Sequence, residues 1–172
     1  IVSFEFILDT SRAAAKEGIY SVLVTNGVID EEPMDLLSQS VRAMNIDLKG
    51  WNDDFYRNEI GTDKRNVLRS IETAKKVGTH LELTTLIIPG KNDSTEEMIE
   101  EAKWISEISK DIPLHINRYH PSYKSEIPPT PPESLTMLAE VAKEYLRYVY
   151  VGNASLPGLS DTICPHCGNL LI

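Results

Sequence analysis

The segment Asn45-Ile46-Asp47-Leu48-Lys49-Gly50 is the stretch on which the fold assignment turns. In an extended strand, side chains alternate between two faces, so Asp47 and Lys49 project from one face and Ile46 and Leu48 from the other. A polar pair at the end of a buried parallel strand lies where α/β folds bind their ligands. The pattern equally fits a surface ion pair that contributes little to stability, and both interpretations remain open.

The composition is that of a globular domain and excludes several functional classes. The chain has 172 residues, of which 41% are hydrophobic, and a net charge of −9, which argues against nucleic acid or an anionic membrane as the main partner. No apolar run approaches the ~20 residues that a membrane span needs. The first residues show no signal-peptide pattern, and two cysteines do not make a disulfide framework. We therefore expect a cytoplasmic protein.

Strand and helix patterns alternate along the whole chain. Strands are predicted around Leu23, Asp47, Thr84, Ile116 and Val149. Helices are predicted at residues 4–17, 30–43, 67–77, 95–108 and 133–146. Repeated βα units predict parallel strands joined by right-handed crossovers, in a doubly wound sheet or in part of a (β/α) barrel. We expect this barrel-like domain at residues 1–153 and a separate tail at residues 154–172.

Polar residues gather where the predicted strands end. They include Asn26, the pair Asp47 and Lys49, Thr85, and His120. Each has an ordinary structural explanation: Asn26-Gly27 is a common turn, threonine favours strands, and a lone histidine often bonds a loop carbonyl. Their shared position at the carboxyl ends of strands is nevertheless typical of a ligand site.

A different kind of pattern lies near the end of the sequence. The segment Cys164-Pro165-His166-Cys167-Gly168 has the spacing of half a zinc knuckle, in which Cys164 and Cys167 are the metal ligands. A tetrahedral site needs two further ligands, and His166 is poorly placed to bind the same ion. A redox function would require a helix beginning at the motif, which three closing residues cannot form.

Taken together, the ordered motifs resemble those of the radical S-adenosylmethionine (SAM) enzymes, in particular the group related to pyruvate formate-lyase activating enzyme and the AmmeMemoRadiSam-system proteins. The resemblance covers essentially the whole chain. It rests on Thr-Asn-Gly at 25–27, Asn-Ile-Asp-Leu-Lys-Gly at 45–50, Leu-Thr-Thr-Leu-Ile-Ile-Pro-Gly-Lys-Asn-Asp at 83–93, Pro-Leu-His at 113–115, Tyr-His-Pro-Ser-Tyr-Lys at 119–124, Pro-Pro-Thr-Pro at 128–131, Val-Tyr-Val-Gly-Asn at 149–153 and Cys-Pro-His-Cys-Gly at 164–168.

The resemblance implies a partial (β/α)₆ barrel that holds SAM and a [4Fe-4S] cluster at the carboxyl ends of its strands. In such enzymes the reduced cluster cleaves SAM to methionine and a 5′-deoxyadenosyl radical, which abstracts hydrogen from a substrate. The implied SAM-binding residues are Asn26, Asp47, Lys49, Thr85 and His120. The implied partners are an electron donor such as ferredoxin or flavodoxin, and either a glycyl-radical enzyme or a small molecule as substrate.

Three departures from the family pattern shape these expectations. Val24 stands where activating enzymes have an acid, which weakens the case for a glycyl-radical substrate. The family's C-x-x-x-C-x-x-C and Gly-Glu-Pro motifs are absent, so we expect an internal fragment that lacks the cluster and is inactive alone. The strand near residue 23 would then be an exposed edge through which the fragment self-associates. A non-catalytic binding module is the alternative function.

Overall fold

The computed structural model describes residues 3–172 and contains five strands and six α-helices in that range. The strands are β1 (Val22–Thr25), β2 (Ala43–Asp47), β3 (His80–Ile87), β4 (Leu114–Arg118) and β5 (Val149–Gly152). The helices are α1 (Phe4–Lys16), α2 (Glu31–Ser40), α3 (Asp53–Phe55), α4 (Lys64–Val77), α5 (Thr95–Ile108) and α6 (Pro132–Lys143), with a π-helical turn at Tyr56–Ile60 directly after α3.

The strands form one parallel sheet in the order β1-β2-β3-β4-β5. A doubly wound sheet reverses its strand order, and this sheet does not. Because right-handed crossovers that advance in one direction place their helices on the same face, the sheet winds as part of a barrel. The expectation of a partial (β/α) barrel is therefore confirmed, and the doubly wound alternative is wrong.

The apolar core lies between the sheet and this one layer of helices. In β3 the alternation is regular: Leu83 is fully buried, while its neighbours Glu82 and Thr84 are half-buried. Fully buried Ile71 of α4 and Ile105 of α5 belong to the same core. Each such side chain contributes about 1.5–3 kcal/mol by leaving water. We call the other side of the sheet, which carries Glu82 and Thr84, the open face.

Several element boundaries differ from those predicted, and two of them lie at the two ends of the segment that forms β2. The helix expected to reach residue 43 ends at Ser40, because Val41 is extended and the Arg42 amide donates to the Ser21 carbonyl at 2.9 Å. The strand expected to include Lys49 ends at Asp47. The turn that follows is capped by Asn52, whose side chain accepts from two backbone amides.

The segment after β5 packs on the barrel before it turns away. Leu156 and Leu159 pack against the core, and the Val151 amide donates to the Leu159 carbonyl at 2.8 Å. Beyond them, an antiparallel bridge between Ile163 and Leu170 closes a short hairpin around the two cysteines. Within residues 3–172, no helix combines the length and apolar character that a membrane crossing requires.

Strand β1 is one edge of the sheet as described over residues 3–172. Its Val22 and Val24 side chains are 65% and 72% exposed. An unpaired strand edge beside exposed apolar side chains favours pairing with another strand. Self-association through β1 stays a prediction.

Candidate functional site

An ion pair stands on the open face at the carboxyl end of β2. The Lys49 amine lies 2.6 Å from the Asp47 carboxylate, and both side chains are about one-third exposed. Ile46 and Leu48 point the opposite way and are fully buried in the core. The alternation expected from the sequence thus continues past the last strand residue, so Asp47 and Lys49 project from the same face.

The backbone that carries Lys49 is held by three side chains from other elements. The Thr85 hydroxyl contacts the Leu48 carbonyl at 2.8 Å, and the Tyr56 hydroxyl accepts from the Lys49 amide at 2.9 Å. The Asn92 side chain donates to the Lys49 carbonyl at 2.7 Å. Both backbone polar groups of Lys49 are therefore bonded, which fixes its position independently of the ion pair.

The next residue, Gly50, is required by this arrangement. Its φ is +146°, in the region that favours glycine, and an added Cβ would lie 3.1 Å from the Cβ of Asn92. Glycine therefore allows the chain to pass close to Asn92 while leaving the site.

Thr85 does not lie with Asp47 and Lys49. It is fully buried on the helix-covered face of β3, where its hydroxyl lies 2.5 Å from a carboxylate oxygen of Glu101 on α5. Thr84 occupies the open face instead and donates to the side-chain oxygen of Asn45 at 2.9 Å. Period-two alternation in β3 decides this, and the Thr85 side chain, which was expected at the site, therefore faces α5 instead of the open face.

Asn26 follows β1 at the level of Asp47. Thr25 pairs with Ile46, so the next residue of each strand lies at the same height along neighbouring strands. The Asn26 side chain is exposed and accepts from the Val28 amide at 3.1 Å, which is the turn contact expected for Asn-Gly. Gly27, with φ of +68°, has no room for a Cβ, which would lie 2.8 Å from Ile46.

His120 follows β4 at the carboxyl ends of the strands, and β4 lies two strands away from β2. It is exposed, and its Nε2 lies 3.2 Å from the backbone carbonyl of Asn153. This is the loop-carbonyl contact that the structural interpretation of a lone histidine describes. The same position at the carboxyl edge leaves the ring accessible to a ligand.

A second polar cluster lies at the amino end of β3 and β4. Glu82 accepts from His115 at 2.7 Å, and the His115 ring stacks on Tyr150 with centroids 5.4 Å apart. Partial burial acts to raise the pKa of Glu82, but hydrogen bonds from His115 and His80 outweigh it and lower that pKa. The cluster covers the far end of the open face with paired groups.

Tyr56, Asn92 and Glu101 support the site but were not singled out from the sequence. Tyr56 and Asn92 are read as turn and capping residues when only local patterns are considered. Glu101 carried a usable signal, because it occupies an apolar position of α5 between Met98 and Ala102. A carboxylate within the buried stripe of a helix calls for a partner in the core.

The two cysteines form a compact hairpin with one accessible thiol pair. The Gly168 amide donates to the Cys164 carbonyl at 2.9 Å, and Gly168 has a φ of +72°. Backbone amides of Cys167 and His166 point at the Cys164 sulfur and lower the pKa of that thiol. Over residues 3–172, no group of three or more His, Cys, Asp or Glu side chains could hold a metal ion. A tetrahedral metal site would need two ligands in addition to the two thiols of this hairpin.

The class of protein follows from the family to which its sequence belongs. The sequence model of the radical SAM superfamily matches residues 2–102, and the chain belongs to this superfamily.

Among curated proteins, it is 42% identical over 174 residues to an uncharacterized protein of Methanocaldococcus jannaschii, covering 99% of this chain and 51% of that protein. It is 24% identical over 122 residues to pyruvate formate-lyase 1-activating enzyme of Escherichia coli, covering 70% of this chain and 50% of the enzyme. The chain thus spans about half the length of these relatives.

Solved structures share the fold. A domain of pyruvate-formate lyase-activating enzyme from Bacteroides vulgatus superposes with a TM-score of 0.73 at 16% identity, covering 87% of this chain and 91% of that one. A radical SAM methyltransferase from Sphaerobacter thermophilus gives a TM-score of 0.67 at 14% identity, covering 90% of this chain and 46% of that one. At these identities the likeness concerns the fold alone.

Proposed function

We propose that this chain is the SAM-binding part of a radical SAM enzyme and that the open face at the carboxyl end of its strands is where SAM binds. Superfamily membership supports the class of reaction. The observation that carries the assignment to this edge is the Asp47–Lys49 pair, held at 2.6 Å on a rigid backbone and still partly exposed. Asn26 and His120 complete the proposed set from neighbouring strand ends.

The residues fit the polar half of the ligand. The methionyl part of SAM carries a carboxylate and an ammonium, and its ribose carries two hydroxyls. Lys49 can bind the carboxylate, while Asp47 can accept from the ammonium or from a ribose hydroxyl. When bound beside a reduced cluster, SAM supplies the 5′-deoxyadenosyl radical of this superfamily. Thr85 is left out of the contact set because it faces α5.

This chain does not by itself fit the iron–sulfur cluster. Radical SAM clusters use three cysteine thiolates, and the chain contains two cysteines, both in the tail hairpin. We therefore assign no cluster ligand to the chain and expect the 172 residues to be inactive alone. We propose that the remainder of a longer protein supplies the cluster, with ferredoxin or flavodoxin as electron donor and a protein or small molecule as substrate.

Turnover by the full-length protein tests the proposed reaction. We expect the anaerobically reconstituted protein to convert SAM to 5′-deoxyadenosine and methionine in the presence of a reductant. Absence of 5′-deoxyadenosine from a protein that carries its cluster would refute the enzyme assignment and favour the binding-module alternative.

Two alanine variants test the location of the site. We expect Lys49→Ala to weaken SAM binding at least tenfold, measured by calorimetry on the full-length protein, with an unchanged melting temperature. Arg147→Ala is the matched control, because Arg147 also forms an ion pair at 2.6 Å, with Asp111. That pair precedes β5 and so lies at the amino ends of the strands. Equal losses of affinity in the two variants would refute the proposed location.

We also propose that Cys164 and Cys167 are half of a zinc site whose other two ligands come from outside residues 3–172. The support is the amide-stabilised Cys164 thiol in a hairpin with the C-x-x-C-G spacing. We expect the full-length protein to bind zinc and to lose it in the Cys164→Ser variant, as measured by elemental analysis. His166→Ala should retain the metal, and an unchanged zinc content in Cys164→Ser would refute the assignment.

A further inference from the structure

We infer that Glu101, on the helix behind the sheet, holds a proton at neutral pH and uses it, through Thr85, to position the backbone that carries Lys49. Glu101 makes no contact with the open face in this arrangement. It is a positioning residue, and the inference stands whether or not the ligand of the open face is SAM.

The first observation is that Glu101 is buried and that, among residues 3–172, no cationic side chain lies at hydrogen-bonding distance from it. Its side chain is 1% exposed and lies in the core-facing stripe of α5. Lys64 of α4 acts on it only through space, because the Lys64 amine pairs with Asp53 at 3.0 Å and donates to the Trp51 carbonyl. A charged carboxylate in such a place is costly, and a neutral one is not.

The second observation is that the single hydroxyl proton of Thr85 cannot serve both of its hydrogen-bond contacts. The Thr85 hydroxyl oxygen lies 2.8 Å from the Leu48 carbonyl oxygen and 2.5 Å from a Glu101 oxygen. A carbonyl and a carboxylate are both acceptors, and one hydroxyl has one proton to donate. Both short contacts are hydrogen bonds only if a neutral Glu101 donates to Thr85 and Thr85 donates to Leu48.

Charged and titratable groups around Glu101 agree with this state. Burial raises the pKa of Glu101 to about 8, with Glu97 of the same helix acting in the same direction and with Thr85 and Lys64 acting against it. The Tyr56 phenol, from the π-helical turn, is also buried, and its pKa is raised above its usual range mainly for that reason. Burial thus favours the neutral form of both the Glu101 carboxyl and the Tyr56 phenol.

The consequence reaches Lys49 through the single peptide group that joins Leu48 to Lys49. Thr85 holds the Leu48 carbonyl, which belongs to the same peptide unit as the Lys49 amide that donates to Tyr56. If Glu101 loses its proton, Thr85 turns its hydroxyl toward the carboxylate, and the Leu48 carbonyl loses its donor. The Leu48–Lys49 peptide is then held from one side only.

The first measurement is of the proton itself. We expect a ¹³C NMR titration of glutamate-labelled full-length protein to show one carboxyl that remains protonated at neutral pH. That signal should be absent in Glu101→Gln and present in the control Glu100→Gln, which alters an exposed glutamate of the same helix. Finding every glutamate carboxyl ionised at neutral pH would overturn the inference.

The second measurement separates positioning from general stability. We expect the hydrogen-exchange protection of the Lys49 amide to fall about tenfold in Glu101→Leu and to be restored in Glu101→Gln, whose amide can still donate to Thr85. The protection of Ile116 in β4 should stay constant in both variants. In the wild type, Lys49 protection should fall as Glu101 titrates, and in Glu101→Gln it should not. The positioning role would be refuted if the protection of the Lys49 amide changed neither with pH nor in Glu101→Leu. If the leucine variant does not fold, the comparison of wild type and Glu101→Gln across pH decides the question.

Discussion

Replacing Asn92 by alanine tests how the segment that carries Lys49 is held. The Asn92 side chain is 5% exposed and makes three hydrogen bonds to backbone groups. Its amide donates to the Lys49 carbonyl at 2.7 Å and to the Leu86 carbonyl at 2.9 Å, and its oxygen accepts from the Ile88 amide at 2.7 Å. One side chain thus ties the end of β3 to the continuation of β2.

The expected loss follows from these three bonds. At about 1 kcal/mol for each backbone group left without its partner, Asn92→Ala should lower the free energy of unfolding by about 3 kcal/mol. For a chain of this size, that corresponds to a decrease of about 6–12 °C in melting temperature. Urea unfolding should show a lower midpoint with an unchanged slope, since the surface exposed on unfolding stays nearly the same.

Two further variants identify the cause of the loss. Asn92→Asp keeps the shape of the side chain but replaces the donating amide by an oxygen that faces two carbonyls, so we expect it to be at least as destabilising as Asn92→Ala. Asn58→Ala alters an exposed asparagine and should change stability by less than about 0.5 kcal/mol. A loss below about 1 kcal/mol for Asn92→Ala, or a stable Asn92→Asp, would refute the hydrogen-bond account.

Three other perturbations have defined outcomes. Because the pKa of Glu101 is raised from 4.5 to about 8 in the folded protein, the unfolded chain releases this proton first as pH rises. Between these two pH values the free energy of unfolding should fall by about 1.4 kcal/mol per pH unit relative to Glu101→Gln. Urea unfolding at several pH values measures this, and the same pH dependence in both proteins would contradict it. Gly27→Ala should lower the free energy of unfolding by about 3 kcal/mol, because φ is positive and the new Cβ would lie 2.8 Å from Ile46. Gly61→Ala, with φ of +79° and open space around it, should lower it by about 1 kcal/mol. Equal melting temperatures of the two variants would contradict a steric contribution at Gly27. The 172-residue chain should self-associate through β1, and Val24→Lys should shift light-scattering mass toward the monomer; a wild-type chain that is already monomeric would contradict it.

The order of strands and helices was predictable because each element carries its own periodicity. The alternation in β3 and the glycine ending α4 are local features, and local features suffice for such predictions. The choice between a doubly wound sheet and a barrel was not predictable from periodicity, because both use the same βα unit. Strand order decides it, and strand order is a property of the whole sheet.

The site was predictable only in part, for a similar reason. Asp47 and Lys49 could be placed on one face because two residues in one extended segment share a face. Thr84 and Thr85 could not be ranked until the register showed which of them faces α5. Asn92 and Tyr56 lie 43 and 7 residues from Lys49 in sequence, and their contacts with it depend on how distant segments pack.

The support beneath Lys49 bears on the two interpretations of the Asp47–Lys49 pair. A surface ion pair contributes at most about 1 kcal/mol and does not need a fixed backbone, since both side chains can adjust in water. Here the backbone of Lys49 is bonded at both its amide and its carbonyl, and Gly50 is in a conformation that lets Asn92 approach. A rigid backbone that presents a partly exposed charge reduces the entropy lost when a ligand orders that charge. The arrangement therefore agrees with the proposed ligand site, while the segment is held by the buried groups behind it.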